Sequence, residues 1–389
     1  MTKPFRIGLA WHSTRSSNLG VGALTVGNMA LASAAAMRVG LDAQFVVFSP
    51  RETGPPYVED VETRVIDGRY MTSRKGFLAD VGNLDIMLDI GAGDSFTDIY
   101  PRKRFLYLWG TKALTVARSV PLIFSPQTIG PFTKVFETRL AAWALNRAAA
   151  VFARDPLSFA ALKDLAPRAP GFQVIDVAFA LPFTAQPKAE EKVRVGLNIS
   201  GLLYNRGYSG GNEFGIEVDY RALNHLLIER FAAMPGVEVH LVGHVFAPNQ
   251  PRDDDGATAD ALAAQYPGLV RAPHFTTPGE AKSYISGLDF LVGGRMHATI
   301  AAYSSGVPVV PISYSRKFEG LFGGLGYKWL VPVRGLSTEA AADYVIDAFE
   351  RRAELATDIG KGLKVVEQGL ETYIAELAMH FAAAAARRP

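Results

Sequence analysis

Arg295 and His297 are the residues whose types and spacing point most directly to chemistry in this sequence. They follow the apolar run 289–294 and open a stretch of helical pattern that ends near Gly306. A guanidinium and an imidazole are therefore expected at the carboxyl end of a buried strand, where the first turn of a helix adds free N–H groups and a positive dipole. This combination predicts an anion-binding site.

The next apolar run, 307–312, is expected to be the following buried strand. It brings Ser313, Tyr314 and Lys317 to the same edge of the sheet. Hydroxyl groups and an ammonium group beside Arg295 strengthen the prediction that the chain handles a phosphate or a carboxylate.

Residues directly after the other predicted strands are further candidates, because in an open α/β sheet the ligand lies beyond the carboxyl ends of the strands. They are Asn18 in loop 12–22, Gly93 and Asp94 in loop 91–98, Gln127 in loop 126–131, Arg154, and, in the second half, Asn198 and Arg206.

Several of these residues also have a structural interpretation, and the sequence leaves both open. Asp94 or Asp98 could take a proton from a substrate hydroxyl or cap a helix, with capping favoured for Asp98. Gln127 could bind sugar hydroxyls or hold a turn. Arg154 could bind an anion or pair with a nearby aspartate such as Asp176.

The elements that must position these residues alternate along the whole chain, which is typical of parallel sheets covered by helices on both faces. A chain of 389 residues is longer than one core usually supports, and the polar, proline-containing segment 182–192 is typical of a linker. We therefore predict an α/β protein with two Rossmann-like domains, 1–185 and 190–389, that face each other across a cleft.

The alternation also predicts the individual elements. Strands are expected near 5–11, 44–48, 85–90, 121–125, 150–153 and 173–181, and then near 193–199, 237–242, 288–292 and 308–312. Helices are expected near 30–39, 104–118, 136–149 and 157–165, then near 220–233, 257–266, 279–286 and 296–305, and from 338 to about 385.

Composition excludes several classes of function. A net charge of +2 argues against a nucleic-acid partner, which normally needs a clustered basic face. With no cysteine there is no disulfide, no thiolate nucleophile and no cysteine-ligated zinc. The acidic run 253–255 lacks the spacing of metal ligands, so we interpret it as a solvated loop and expect no metal.

The sequence predicts a cytoplasmic protein. Its N-terminus lacks the pattern of a signal peptide, and no window offers about 18 consecutive apolar residues. The basic residues 102–104 precede the largely aromatic run 105–109. This pattern suits peripheral contact with the inner face of a membrane, although it is more typical of a buried helix with a solvated basic start.

Taken together, these loops resemble the polysaccharide pyruvyl transferase family, whose members move the enolpyruvyl unit of phosphoenolpyruvate onto sugar hydroxyls as a ketal. The most specific part is 294–298 with 306–308 and 313–317, which is similar to the family's Arg-Leu-His block and its downstream Tyr-x-x-Lys. Further blocks match in order at 91–98, at 127–131, at Arg154-Asp155 with Ser158, and at 176–179. The resemblance extends from about residue 18 to 317.

The sequence departs from the family pattern at three positions. Val21 stands where an aspartate is expected after Asn18-Leu19-Gly20, Ala92 replaces a glycine, and Met296 replaces a leucine. If the missing carboxylate serves the chemistry, its role is absent or is filled by a neighbour such as Asp94.

The resemblance implies a GT-B-like fold, phosphoenolpyruvate as donor substrate with no other cofactor, and a sugar acceptor. The acceptor could be lipid-linked, a nucleotide sugar or a finished polymer, and the oligomeric state is not predicted. His297 is implied as the catalytic acid or base. Arg295 and Lys317 are expected to bind the donor's anionic groups, with Arg154 completing the clamp across the cleft. The donor site is thus expected in domain 190–389 and the acceptor side in domain 1–185.

Two other functions remain open from the sequence. A GT-B glycosyltransferase that uses a nucleotide sugar would have a similar fold and anion site. A noncatalytic glycan-binding descendant is suggested by the departure at Val21.

Overall fold

Two parallel β-sheets organise the chain in the computed structural model, which describes residues 3–212 and 214–388. They belong to two units. The first unit contains the residues up to Ser16, Leu24–Leu181 and the residues from Val366 onward, and the second contains Ser17–Ala23 and Pro182–Val365.

In the first unit, the described residues form a seven-stranded sheet in the order β3-β2-β1-β4-β5-β6-β7. Its strands are β1 Phe5–Ala10, β2 Ala43–Ser49, β3 Glu62–Val65, β4 Ile86–Asp89, β5 Leu122–Gln127, β6 Ala150–Ala153 and β7 Gly171–Gln173. The helices over this part of the chain are α1 Leu19–Arg38, α2 Gly68–Thr72, α3 Phe77–Val81, α4 Arg102–Ala117, α5 Val135–Leu145 and α6 Pro156–Leu165, followed by a 3-10 turn, Val177–Ala180.

The second unit has a six-stranded sheet within its described residues, in the order β10-β9-β8-β11-β12-β13. Its strands are β8 Val193–Asn198, β9 Val237–Val242, β10 Val270–Arg271, β11 Phe290–Gly293, β12 Val309–Ser313 and β13 Val331–Pro332. The helices are α7 Gly201–Tyr204, α8 Tyr220–Ala232, α9 Asp255–Gln265, α10 Pro278–Ser286, α11 Met296–Ser304, α12 Arg316–Gly324, α13 Thr338–Glu350 and α14 Arg352–Ala385.

Both sheets are of the Rossmann type, which confirms the predicted fold class. Every strand pairing is parallel. In each sheet the strand order reverses next to a central strand, at the β1/β4 pair in the first unit and at the β8/β11 pair in the second. Ligands of such sheets bind beyond the carboxyl ends of the strands at these reversals. That the units face each other across a cleft stays a prediction.

Helix α1 begins at Leu19, whereas the sequence pattern predicted a helix only from residue 30. Asn18 opens it by accepting a hydrogen bond from the backbone N of Gly20, 2.9 Å away. The glycines of this segment weaken the local helix signal but allow close packing. A Cβ atom at Gly27 would lie 2.2 Å from the carbonyl oxygen of Val177.

By length and composition α1 could cross a membrane. Two-thirds of its most apolar window is buried inside the protein, as in the core helix of a globular domain.

The predicted strand over 173–181 was wrong beyond residue 173. Strand β7 ends at Gln173, and the apolar residues that follow form the 3-10 turn Val177–Ala180. Asp176 begins this turn by accepting a hydrogen bond from the backbone N of Ala178, 2.9 Å away. The short elements β3, β10, β13, α2, α3, α7 and α12 were not predicted.

The units differ from the predicted domains in two segments. The change of unit at Leu181 lies close to the predicted linker, but Ser17–Ala23 groups with the second unit and the chain from Val366 onward groups with the first. The last part of α14 is fixed there by Tyr373, whose Oη lies 2.9 Å from Oδ1 of Asn28 and 3.0 Å from Oγ of Ser125.

The substitution Tyr373→Phe tests whether this residue fixes the last part of α14 to the first unit. It leaves the buried Oδ1 of Asn28 without its donor, so we expect the free energy of unfolding of the first unit to fall by about 1–3 kcal/mol. Urea denaturation measures the change. Tyr208→Phe, which removes a hydroxyl from a side chain that is 62% exposed, is the control. Equal midpoints for the two variants would contradict the assignment.

Candidate active site

Asp255 connects the loops that follow three strands of the second unit, β8, β9 and β11. Its fully buried carboxylate accepts hydrogen bonds from the backbone N of Gly201 at 2.8 Å and of His244 and Val245 at 3.0 Å. It also accepts hydrogen bonds from Nε and Nη2 of Arg295, at 3.1 and 2.6 Å. One carboxylate therefore fixes the carboxyl edge of this sheet.

Arg295 is held by two carboxylates. Its Nη2 also donates to the side chain and the backbone oxygen of Asp253, at 2.6 and 2.9 Å. Burial alone would lower the pKa of Arg295, but Asp255 and Asp253 raise it above the ordinary value, so the guanidinium stays charged. Nε and Nη2 are occupied within the described residues, which leaves Nη1 for a ligand.

The interpretation of 253–255 as a solvated loop was wrong. Asp255 is fully buried and Asp253 is largely buried, both against Arg295. Asp254 caps α9 by accepting a hydrogen bond from the backbone N of Ala257, 3.1 Å away. The sequence carried no local signal for this arrangement, because the partner of the acidic run lies about 40 positions away along the chain.

Asn198 positions Arg295 from the end of β8. Its Nδ2 donates to the carbonyl oxygen of Val242 at 3.0 Å, and its Oδ1 accepts from the backbone N of Arg295 at 2.9 Å. The side chain is buried, and both ends of its amide are engaged. The structure thus gives Asn198 a positioning role, and its direct contact with substrate stays a prediction.

His297 lies in the first turn of α11 and packs against the segment Ser17–Ala23. A Cβ atom at Gly20 would lie only 2.5 Å from Nδ1 of His297, so this approach requires glycine. Asn18, on the same segment, forms an antiparallel bridge with Val245. The structure therefore places Asn18 and His297 in neighbouring segments of the second unit. Both were selected from the sequence as site residues.

His244 lies behind this arrangement and was not selected from the sequence. Its carbonyl oxygen accepts a hydrogen bond from the backbone N of Leu19, 3.1 Å away. Burial, and then the neighbouring charges of His297 and Arg295, lower the pKa of His244 to about 3. His244 is therefore neutral at physiological pH and adds no positive charge to the site.

The helices α11 and α12 begin at this edge without a side-chain cap. In contrast, α7, α8, α9, α10 and α13 all have one. Helix N-termini that lack a cap present backbone N–H groups to an anion. This difference makes the carboxyl ends of β11 and β12 the candidate position for an anionic ligand.

Ser313, Tyr314 and Lys317 lie where the sequence predicted them, between β12 and the first turn of α12. Ser313 is only 7% exposed, and within the described residues its Oγ has no hydrogen-bond partner. Tyr314 packs edge-on against Phe214, with ring centroids 5.2 Å apart. Lys317 is half-buried.

Arg206 lies farther along the loop that follows β8. It is exposed, has a φ of 59° and lines a pocket of about 640 Å³ together with Tyr204, Arg221 and Arg252. Its contact with a substrate stays a prediction.

Gly93, Gln127 and Arg154 lie in the first unit. Gln127 Nε2 donates to the carbonyl oxygen of Asp89 at 2.7 Å, and Arg154 Nη1 donates to Asp176 at 2.7 Å. These are the structural alternatives that the sequence left open. Within the described part of the chain, Oε1 of Gln127 and Nε of Arg154 are buried without a partner, so their roles in binding stay predictions.

Asp94 also lies in the first unit, partly exposed. It accepts a hydrogen bond from Oη of Tyr100 at 3.3 Å. Asp98 instead accepts from the backbone N of Thr133 and of Lys134, both at 2.6 Å, directly before α5. Helices α4 and α5 both begin without a side-chain cap, so the favoured capping role of Asp98 was wrong, and its carboxylate instead holds the loop that precedes α5. The catalytic role of Asp94 stays a prediction.

Among residues 3–212 and 214–388, no group of three or more acidic or histidine side chains is arranged to hold a metal ion.

Comparison with known proteins gives both a family and a fold. The family model of polysaccharide pyruvyl transferases matches residues 27–316. No curated protein is significantly similar in sequence. Among solved structures, Anabaena Alr3699/HepE in complex with UDP and glucose has a TM-score of 0.57 at 12% identity, covering 99% of this chain and 100% of that one.

Two more solved structures agree on the fold. The α,α-trehalose 6-phosphate synthase of Burkholderia multivorans has a TM-score of 0.56 at 11% identity, covering 99% of both chains. S. aureus MnaA bound to UDP has a TM-score of 0.55 at 12% identity, covering 91% of both chains. At these identities the similarity shows the fold alone, which is of the GT-B type with two Rossmann-like units.

The substitution Asp255→Asn tests the role of the buried carboxylate. It removes a charge that compensates the buried Arg295, so we expect the free energy of unfolding to fall by about 3 kcal/mol. The control Asp260→Asn breaks an exposed ion pair with Arg271 and should change it by less than about 1 kcal/mol. Chemical denaturation compares the two, and a loss in Asp255→Asn no larger than in the control would contradict the role.

Proposed function

Because the chain belongs to the polysaccharide pyruvyl transferase family, we propose that it transfers the enolpyruvyl group of phosphoenolpyruvate to a sugar acceptor. Two hydroxyl groups of the sugar become joined to C2 of the pyruvyl unit as a ketal, and phosphate is released. The family match over residues 27–316 supports the class of reaction. The geometry of the second unit supports the donor.

The observation that carries the proposal is the convergence of anion-binding groups with His297. Two uncapped helix N-termini, Nη1 of Arg295 and the unpartnered Oγ of Ser313 lie at the ends of β11 and β12. Phosphoenolpyruvate carries a carboxylate and a phosphate, and both suit such donors.

Helix N-termini matter here because the charge of Arg295 is already offset. Asp253 and Asp255 each lie 2.6 Å from its Nη2. The guanidinium therefore contributes a fixed direction for Nη1 more than a net positive field. Backbone N–H groups at the start of α11 and α12 add the positive ends of two helix dipoles, and Lys317 lies on the first turn of α12.

His297 is suited to move the proton that the reaction requires. Protonated His297 gives a proton to the methylene carbon of the donor, which leaves an oxocarbenium-like centre at C2. The first sugar hydroxyl attacks C2, and its proton passes to His297. The C2–O bond to phosphate then breaks, and the second hydroxyl closes the ketal as its proton leaves with the phosphate. Proton transfer of this kind by a positioned imidazole contributes about 10²–10⁴-fold to the rate.

The reaction is tested by incubating the protein with phosphoenolpyruvate and a panel of sugar acceptors. We expect inorganic phosphate and a pyruvylated sugar as products, detected by a phosphate assay and by mass spectrometry. Release of a nucleotide from a nucleotide sugar, with no phosphate from phosphoenolpyruvate, would instead indicate a glycosyltransferase.

The substitution His297→Gln should lower kcat about a hundredfold or more while the circular dichroism spectrum stays unchanged, because glutamine cannot shuttle a proton. The control His380→Gln replaces a half-buried histidine on α14 and should leave kcat unchanged. A His297→Gln protein with normal turnover would rule out the assignment.

The substitution Ser313→Ala separates a binding role from a structural one. Removing a buried hydroxyl that has no hydrogen-bond partner among the described residues should leave the free energy of unfolding unchanged or raise it. If Oγ binds the donor, KM for phosphoenolpyruvate should rise about tenfold. Ser305→Ala, whose Oγ donates to a carbonyl oxygen of its own helix, is the control. An unchanged KM would remove Ser313 from the site.

A further inference from the structure

A pocket of about 470 Å³ lies at the carboxyl edge of the first sheet, next to the β1/β4 pair. Its lining includes Trp11, Ala92, Ser95 and Tyr107, together with two exposed basic residues, Lys103 and Arg104, which we call its basic rim. None of these residues was among the site residues selected from the sequence, although Ala92 directly precedes Gly93 and Asp94. The pocket combines an aromatic wall with two basic side chains.

The fold holds the aromatic wall in place. Trp11 directly follows β1 and has a φ of 61°, in the left-handed region that a bulky residue rarely adopts. Its indole Nε1 donates to Oγ1 of Thr111 on α4, 2.9 Å away. Ala92 also has a positive φ, 51°, between two glycines that have positive φ as well. Such backbone conformations cluster at ligand-binding sites.

The basic rim is oriented by neighbouring polar groups. Nη2 of Arg104 donates to Oγ of Ser95 at 2.5 Å, and its guanidinium lies 4.6 Å from the ring centroid of Tyr100. Oη of Tyr100 in turn donates to Asp94 at 3.3 Å. Lys103 is exposed one residue before Arg104. Two cations thus stand beside an aromatic pocket at a position where such sheets bind ligands.

We propose that this pocket binds the acceptor of the transfer reaction and that the acceptor is a sugar carrying a phosphate or diphosphate group. The apolar face of a sugar ring suits the wall formed by Trp11 and Tyr107, and the phosphate suits Arg104 and Lys103. A neutral finished polymer would offer neither cation an anionic group. The inference rests on the proposed function, because it names the acceptor of that reaction.

The fluorescence of Trp11 tests the proposal without the donor. Wild-type protein is titrated with glucose 1-phosphate, mannose 1-phosphate, glucose and inorganic phosphate. We expect a saturable change with at least one sugar phosphate, weaker binding of both glucose and inorganic phosphate, and loss of the signal in Trp11→Phe. Binding of glucose as tight as that of its phosphate would overturn the proposal.

Charge variants test the rim. Arg104→Gln and Lys103→Gln should each raise Kd for the sugar phosphate about tenfold. Arg118→Gln is the matched control, because Arg118 is an exposed cation at the opposite end of α4. Substitutions at these exposed positions should not affect folding. The charge variants therefore test the proposal even if the Trp11→Phe variant is unstable. Equal Kd values for all three variants and wild type would overturn the proposal.

The source of the phosphate is distinguished by two further probes, UDP-glucose and geranyl diphosphoglucose. Tighter binding of the geranyl compound indicates a lipid-linked acceptor, and tighter binding of UDP-glucose indicates a soluble one. Either result supports a phosphate-bearing sugar.

The outcomes for the pocket and for the proposed reaction are separable. Phosphate release from phosphoenolpyruvate with no response of Trp11 to any of these probes would retain the reaction and overturn the pocket. A change in the fluorescence of Trp11 without pyruvyl transfer would retain the pocket and overturn the reaction.

Discussion

The buried carboxylate of Asp255 is the constraint on which the second unit's site depends. Three backbone N–H groups and one guanidinium converge on it from the loops after β8, β9 and β11. Each of those loops would otherwise contain polar groups removed from water without a partner, which is costly. Because Arg295 is the N-cap of α11, fixing its guanidinium also fixes the first turn on which His297 lies.

Close packing of a second chain segment completes this constraint. The residues Ser17–Ala23 join the loop after β9 through backbone hydrogen bonds, and Gly20 lets the ring of His297 approach the helix. A side chain larger than hydrogen at that position would displace the imidazole. The position of the imidazole is therefore set from both sides, by Asp255 through Arg295 and by the start of α1.

The sequence could predict what depends on local pattern. The alternation of apolar runs and helical stretches predicted both Rossmann-like units, and the position of Arg295 after β11 predicted the edge on which it lies. The predictions that were wrong concern residues whose partners lie far away in the sequence. The acidic run 253–255 has the composition of a solvated loop because its partner, Arg295, is far away in sequence. The start of α1 was missed because glycines that permit packing also weaken the helix signal, and nothing local indicates that Tyr373 returns to the first unit.

The two sheets use the same topological feature for different chemistry. Next to the β8/β11 reversal, at the carboxyl ends of β11 and β12, the helices α11 and α12 begin without side-chain caps. Oγ of Ser313 has no partner there among the described residues, so polar groups remain for a ligand. Next to the β1/β4 reversal, Trp11 and Tyr107 line a pocket together with the exposed Lys103 and Arg104. A small, doubly anionic donor needs many hydrogen-bond donors at short range, whereas a phosphorylated sugar presents broad CH faces with charge at one end. The chemical difference between the two edges therefore matches the difference between the two substrates of the proposed pyruvyl transfer.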